Sequence, residues 1–470
     1  MRLTAFSFLL AVMSLTPWDG SSVSAQQYSA TPAHLPATET QSPAGSQVAL
    51  TSYAAKSNTC DLCCPNICCS DDTGYSQCGD AGYCFAWGED TWLKVGAGIR
   101  ASYRAIEGFN PANGATAQDF NLDNTRVYLN GQGHPNIGFE FNMDVNNAQG
   151  FDDIDPALVF GSPFGSFESG NMRVLDAILK FKLTDNIQLW MGRLLPPSDR
   201  SNLDGPFYLN AWLFPYVQFG YSNIFQGRDD GVALWGEHGG GRFKWQVGLF
   251  EGENTGAPFT AGHPATDNLM FAGRVVLNLL DPEPGYYNQS TYYGEKDILA
   301  LGASMMHRHD ALADFVGPGQ ADYTAWSLDF LFERKLANEG VATLEAAYYD
   351  FDDSDGVNPV TGLPVLNPTF FGNFATRQGE SYFVLGSYLF PGSVSFGCLD
   401  GRIQVMGRYQ QYDHDTVGFV PGGVDDQVDF QVNYIMFGHN ARLSFVWTQY
   451  DPFAGANNLD AFIVGGQVQF

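Results

Sequence analysis

The sequence has few charged residues, and basic residues are the scarcer kind. Only 16% of its 470 residues are charged, and 23 Lys and Arg face 51 Asp and Glu, for a net charge of −28. No run of Lys or Arg occurs, so the chain lacks the basic patch that binding to a phosphate backbone requires. We therefore expect no nucleic-acid partner.

Long apolar runs are also missing. Beyond the amino terminus no stretch of about 18 apolar residues occurs, which argues against a membrane-spanning helix. The sequence contains no nucleophile elbow, Walker loop or dinucleotide fingerprint. We predict a protein that is not an enzyme and that has no cofactor and no resident metal.

Glycine and aromatic residues are abundant instead. The chain has 53 Gly, 37 Phe and 22 Tyr, a composition typical of β-barrels with aromatic girdles. From residue 92 onward, apolar and polar residues alternate with the period of a β-strand. In the last stretch, AFIVGGQVQF, Phe462, Val464 and Val468 fall on one face and Gln467 and Gln469 on the other. Pairing this strand with the first one would close a barrel and leave no free edge.

The pattern predicts a 16-stranded antiparallel transmembrane β-barrel over residues 91–470, and the even strand number fits bacterial single-chain barrels. The predicted strands are 92–104, 122–131, 137–145, 173–183, 187–195, 229–236, 243–251, 268–280, 297–307, 323–334, 341–350, 380–390, 402–412, 426–437, 441–450 and 460–470.

The connections alternate in length. Those after odd strands, such as 146–172 and 196–228, are long, and those after even strands, such as 184–186 and 438–440, are mostly short. This arrangement is typical of outer-membrane barrels and not of a soluble sandwich. The connection 281–296 is long where a short turn is expected, and the pattern gives no reason for its length.

Three segments precede the barrel. Residues 1–25 fit a secretory signal peptide, with Arg2 ahead of an apolar core and Val23-Ser24-Ala25 at the cleavage site. Residues 26–59 predict a flexible tether, because they are rich in Ala, Ser, Thr, Pro and Gln. Residues 60–90 predict a cysteine-rich periplasmic segment.

Seven of the 8 cysteines lie in that segment: Cys60, Cys63, Cys64, Cys68, Cys69, Cys78 and Cys84. Because an exported chain meets an oxidising compartment, we expect disulfides more than a metal site. Zinc ribbons and fingers require two Cys-x-x-Cys pairs at longer separation, and the tandem pairs Cys63-Cys64 and Cys68-Cys69 do not match that pattern. The remaining cysteine, Cys398, lies in a turn on the same side of the barrel. Our hypothesis is that one disulfide joins the segment to Cys398.

Basic side chains at inward positions are the candidate functional residues. A basic residue at the bilayer midplane costs about 2–4 kcal/mol, so the polar lumen is the favourable place for it. The predicted lining is Lys94, Arg100, Arg104, Arg126, Lys180, Lys182, Arg274, Arg408 and Arg442. It favours small anions, because guanidinium groups match phosphate or carboxylate oxygens in pairs. The alternative is a lumen of mixed charge, because the same alternation also places acidic residues at inward positions. They are Glu140, Asp144, Asp176, Asp329, Glu345 and Asp429.

The long connection 196–228 is the candidate constriction loop, with Arg200 and Arg228 as its basic residues and Arg193 at its root. Its aromatic stretch PFYLNAWLFPYVQFGY favours packing inside the wall or at a subunit contact. The alternative is a cap on the barrel rim.

The stretch LDAILKFKLTDNIQLWMGRLLPP (175–197) resembles the phosphate-selective porin family, types O and P. RVYLNGQ (126–132), GRDDGVALWG (227–236), GLFEGEN (248–254), VMGRYQQYD (405–413) and AFIVGGQVQF (461–470) support the resemblance, in order and spacing. It implies a trimeric porin that passes phosphate or other anions. The departure is that the loop 196–228 contains no Lys, whereas the family's phosphate sites draw Arg and Lys from both walls and loop.

Two other groups of polar residues are weaker candidates. The acidic stretches FDDIDP (151–156) and FDDSDG (351–356) fail the EF-hand spacing and predict solvated loops. His307-Arg308-His309-Asp310 and Asp413-His414-Asp415 could serve as metal or acid–base sites, but polar residues are normal at strand ends.

These observations together predict an outer-membrane channel for small hydrophilic solutes with an anion preference, in contact with lipid and assembled as a homotrimer. One alternative is a structural barrel whose cysteine-rich segment binds an envelope partner. Another is a barrel esterase or protease, which would require Ser, His and an acidic residue to converge on the barrel wall.

Overall fold

The computed structural model of the chain describes residues 83–87, 91–107, 116–145, 172–218, 227–252, 268–313, 320–352, 379–415, 422–451 and 458–470. The predicted signal peptide, tether and most of the cysteine-rich segment lie outside these ranges. Sixteen long strands form a closed antiparallel barrel, which confirms the predicted fold class. They are β1 Trp92–Glu107, β2 Ala117–His134, β3 Ile137–Val145, β4 Arg173–Thr184, β5 Ile187–Leu194, β6 Asp229–His238, β7 Phe243–Phe250, β8 Met270–Asn278, β9 Ile298–Ala313, β10 Gln320–Lys335, β11 Val341–Asp352, β12 Gly379–Leu389, β13 Leu399–His414, β14 Gly423–Phe437, β15 Ala441–Asp451 and β16 Leu459–Gln469.

The last strand closes the barrel against the first. The register of β16 and β1 runs from Asp460 opposite Glu107 to Gln469 opposite Gly98. A short strand, Tyr83–Ala86, pairs with the beginning of β1 beyond the end of that ladder. Every long strand therefore has a neighbour on both sides, as the alternation predicts.

The two faces of the wall differ as the period-2 pattern requires. On β1, Arg100 and Arg104 are buried inside the barrel, whereas Ile99 is 51% exposed on the outside. On β16, Phe462 and Val464 are likewise outward and exposed, and Gln467 is buried. An apolar exterior of this kind suits a hydrocarbon environment. Among the residues that the structure describes, no helix is long and apolar enough to cross a membrane.

The two ends of the barrel carry different connections. We call the end of the short connections 135–136, 185–186, 239–242, 336–340 and 438–440 the turn side, and the opposite end the loop side. Two turn-side connections are longer. Residues 390–398 include the short strand Val394–Phe396 and form an exposed hairpin, whereas residues 279–297 fold into the barrel.

The hydrophobic core lies inside the barrel. It joins inward residues of the wall, such as Trp190 on β5 and Tyr349 on β11, to residues of two segments that fold into the lumen, such as Leu203 and Tyr286. Part of the space that a barrel of this size encloses is thus filled by protein.

Candidate functional site: the barrel lumen

The predicted basic lining points into the barrel. Seven of its nine members are buried there: Arg100, Arg104, Arg126, Lys180, Arg274, Arg408 and Arg442. Lys94 is half-buried, and Lys182 lies at the turn-side end of β4, where it pairs with the exposed carboxylate of Asp185 at 3.1 Å. Whether these residues contact a permeating anion stays a prediction.

Most of these cations have a carboxylate partner. Arg126 pairs with Asp144 at 2.7 Å, Lys180 with Glu140 at 2.6 Å and Arg408 with Asp429 at 2.7 Å. Arg274 forms a bidentate salt bridge with Asp329, and Arg104 pairs with Asp123. The charge of this lining is therefore largely neutralised within the wall, as the alternative of a mixed lumen anticipates.

The remaining guanidinium groups hold the inward loop. Arg442 donates to the backbone carbonyls of Leu209 at 2.7 Å, Asn210 at 3.1 Å and Ala211 at 3.4 Å. Arg100 donates to the carbonyl of Trp212, and Arg408 also donates to that of Leu213, at 2.9 Å. Buried backbone carbonyls need such partners. These arginines thus position the loop.

The first part of the predicted constriction loop, residues 196–218, lies inside the barrel and does not cap its rim. Gly192, with φ 120°, stands just before it, in a backbone conformation that only glycine adopts readily. The short helix α1, Arg200–Asp204, follows, capped by Asp199, whose side chain accepts from the Asn202 N–H. The segment then crosses to the opposite wall, where the backbone N–H groups of Trp212 and Tyr216 donate to Gln431 and Gln410. Residues 219–226 lie outside the described ranges.

The basic residues of this loop are also paired. Arg228 contacts Asp176 of β4 at 3.0 Å, and Arg193 holds Asp230 of β6 through two hydrogen bonds of 2.6 and 2.7 Å. Arg200, in α1, is fully buried inside the barrel. Its partner comes from a segment that the alternation pattern does not place inside the barrel.

That segment is the long turn-side connection 279–297, which enters the lumen from the end opposite to the loop. Glu283, Tyr286, Ser290 and Thr291 are almost completely buried. Tyr286 stacks on Trp190 of β5 with ring centroids 4.7 Å apart. The sequence carries one indication of this: the stretch is long and has four tyrosines, which an exposed turn would leave in water.

The two inward segments meet at Arg200 and Glu283. The guanidinium group donates to both carboxylate oxygens, at 2.8 and 2.6 Å, and to the carbonyl of Gln289. Burial is the largest single influence and raises the pKa of Glu283. The charge and hydrogen bonds of Arg200, the charge of Lys244 and the hydrogen bond from Tyr292 together outweigh burial and lower this pKa to about 2. The Ser290 hydroxyl also donates to Asp204, and the Tyr286 hydroxyl donates to the Leu195 carbonyl at 2.7 Å. We call this set of contacts the clasp.

Two further charged residues tie the turn segment to the wall. Glu333 of β10 accepts from the Thr291 hydroxyl at 2.6 Å and from the backbone N–H groups of Tyr292 and Gly294. Lys244 of β7 donates to the Asn288 side chain at 2.7 Å. Sequence reasoning missed Lys244 as an inward residue, although its alternation with Phe243 and Trp245 indicates that orientation.

The prediction for Cys398 is wrong in this structure. Cys398 is a free and exposed thiol in the turn-side hairpin, so the bond to the cysteine-rich segment is not formed. Cys84 lies in the short strand Tyr83–Ala86. The other cysteines of the segment lie outside the described residues, and their pairing stays a prediction.

One group of side chains could ligate a divalent cation. His309 lies between Asp322, whose carboxylate is 2.7 Å from Nδ1, and Asp310, 3.4 Å from Nε2. The group lies at the loop-side end of the hairpin of β9 and β10, with His309 exposed, and it takes no part in the lumen. His414, from the other predicted cluster, pairs instead with Asp425.

Closed antiparallel barrels of this kind occur among solved outer-membrane proteins. OprB of Pseudomonas putida, in its high-pH structure, matches with a TM-score of 0.52 and 10% identity, over 80% of this chain and 94% of that one. An anion-selective porin from Comamonas acidovorans matches with a TM-score of 0.49 and 12% identity, over 81% and 100%. The outer-membrane channel DcaP of Acinetobacter baumannii matches with a TM-score of 0.46 and 11% identity, over 83% and 100%.

The likeness to OprB, at 10% identity, shows a shared fold and nothing finer. No protein-family model and no curated protein sequence matches this chain.

Proposed function

We propose that the chain is an outer-membrane porin, a passive channel for small hydrophilic solutes. The observation that carries the proposal is the opposite character of the two faces of one closed wall. Apolar residues such as Ile99, Phe430 and Phe445 are exposed outside, and charged residues line the inside. A wall of this kind lowers the cost of moving a polar solute past hydrocarbon, because the solute keeps polar partners throughout.

Liposome swelling tests this function. Purified protein is reconstituted into liposomes, which are diluted into iso-osmotic solutions of an amino acid, a monosaccharide and a disaccharide. The proposal expects swelling that slows as the solute grows. Liposomes that swell no faster than protein-free controls would contradict it.

A preference for anions, phosphate-like ones in particular, remains a prediction. The inward position of Arg100, Arg126 and Arg442 supports an anion preference. The pairing of these basic residues with carboxylates and loop carbonyls argues against a strong preference. The zero-current potential across a planar bilayer under a KCl gradient is the measurement. A potential toward the chloride equilibrium value supports the preference, and one near zero or toward the potassium value refutes it.

A structural or anchoring barrel is the second candidate. The dense packing of the lumen favours it, since Trp212, Tyr216 and Leu203 are buried inside the barrel. Protein that folds and inserts but passes no solute would support this candidate over the channel.

Assembly as a homotrimer and insertion with the turn side toward the periplasm are part of the proposal. Chemical cross-linking in mild detergent tests the first, and protease access to a tag in the 390–398 hairpin of intact cells tests the second.

A further inference from the structure

The connection between β8 and β9 is longer than the joining of two adjacent strands requires. Hairpin strands are commonly joined by two to five residues, and the turns 135–136, 185–186 and 438–440 on the same side follow that rule. Residues 279–297 do not, and the surplus is inside the barrel instead of in solvent. A turn that only joined two strands would gain nothing from burying Glu283 or Ser290.

The contacts of the segment fix it across one side of the lumen. It is bound to β7 through Lys244 and through Gln246, which donates to the Tyr286 carbonyl at 2.7 Å. It is bound to β10 through Glu333, and to the loop through Arg200. Loop and turn thus enter from opposite ends of the barrel and touch at the clasp, where Arg200 and Glu283 are both buried.

Solvent contact on the turn side persists along a different part of the wall. Four inward residues of β1 and β2 keep intermediate exposure, whereas the inward residues beside the turn segment, such as Lys244 and Glu333, are buried. The four are Lys94, Tyr128, Asn130 and Gln132. They line a strip on the turn-side parts of β1 and β2, and its polar groups belong to Lys94, Asn130 and Gln132, because the Tyr128 hydroxyl is buried.

We infer that residues 279–297 form a second constriction element, which confines permeation on the turn side to this strip. The inference rests on the proposed channel function. The element restricts by displacing water: ion current through a pore scales with the open cross-section, and the segment occupies part of that cross-section with side chains held by the clasp. The strip then determines by size which solutes pass.

Single-channel recording of two variants tests the inference. In the first, residues 284–292 are replaced by a short Gly-Ser linker, and conductance should rise at least twofold because the lumen opens on one side. In the second, Asn130→Trp narrows the strip, and conductance should fall by half or more. Matched controls are a Gly-Ser replacement of residues 393–397, in the exposed turn-side hairpin, and Val127→Trp on the outer face of the same strand.

The outcomes separate the inference from the channel function. Conductance that rises in the shortened variant and falls in Asn130→Trp, with both controls at the wild-type value, supports the inference. If the wild type passes no current and the shortened variant does, the element obstructs the lumen but the wild-type channel function is wrong. Wild-type conductance in either test variant, in protein that still resists SDS unheated as a folded barrel does, overturns the inference. If neither the wild type nor any variant passes current, both the inference and the proposed channel function are wrong.

Discussion

Replacing Arg442 by methionine should release the inward loop from the wall. Methionine keeps an apolar stem of similar length but has no donor, so the carbonyls of Leu209 and Asn210 lose partners at 2.7 and 3.1 Å. Hydrogen bonds to charged groups contribute about 1.5–3 kcal/mol each, so the two together amount to roughly 3–6 kcal/mol. The third, longer bond to Ala211 is left out of this sum.

The consequence can be expressed as a shift in population. Each 1.4 kcal/mol is about a factor of ten in an equilibrium constant, so the ratio of detached to docked loop should rise by roughly two to four orders of magnitude. The contacts of Arg100 and Arg408 with the same loop remain. We therefore expect frequent brief detachment instead of permanent loss.

Single-channel recording in a planar bilayer is the assay. Arg442→Met should show greater open-channel current noise and brief upward transitions in conductance. The matched control is Arg402→Met, since Arg402 also donates to two backbone carbonyls, those of Phe390 and Glu339, but does so at the exposed turn side. Equal noise in the wild type and both variants would refute the assigned role of Arg442.

Three further predictions follow from single contacts. Gly465→Leu should raise conductance or lower the unfolding free energy by about 1–3 kcal/mol, because its Cβ would overlap the Trp212 ring of the loop. The control Gly466→Leu, on the outer face, should leave conductance and stability unchanged. Equal effects of the two substitutions would contradict the contact between Gly465 and Trp212. Trp190→Ala should lower the unfolding free energy in urea by about 3–5 kcal/mol, because a fully buried ring leaves a cavity, and a loss below about 1 kcal/mol would be inconsistent with that packing. His439 lies in the turn 438–440, and its burial is the main reason why its pKa falls from 6.5 to about 4. Between these two pH values the unfolded chain binds a proton at His439 and the folded chain does not. The free energy of unfolding should therefore fall more between pH 6.5 and pH 4 in the wild type than in His439→Gln. Parallel pH profiles of the two proteins would exclude this contribution of His439.

The wall of the barrel could be predicted from the sequence because its rule is local. Neighbouring residues on a strand face opposite sides of the sheet. The apolar Ile99 next to the basic Arg100 therefore indicates that Ile99 faces outward and Arg100 inward. Closure follows from the same pattern at the two ends of the barrel. The strand bounds differ from the predicted ones mainly where strands extend further, as in β2 and β9 toward the loop side.

Partners inside the lumen could not be predicted in the same way. The pairing of Arg126 with Asp144 depends on the register of β2 against β3, and that of Arg200 with Glu283 joins residues from opposite ends of the barrel. No local pattern specifies whether a turn leaves the barrel or enters it. The tyrosines of 279–297 indicate burial, but not the place of burial.

The central claim is that this closed wall encloses an open, water-filled path beside the two inward segments. Single-channel recording of the purified wild-type protein in a planar bilayer tests it most directly. We predict discrete, stable conductance steps, smaller than an unobstructed barrel of the same strand number would give, because loop and turn both narrow the lumen. Insertion of folded barrels without any conductance step would contradict the claim.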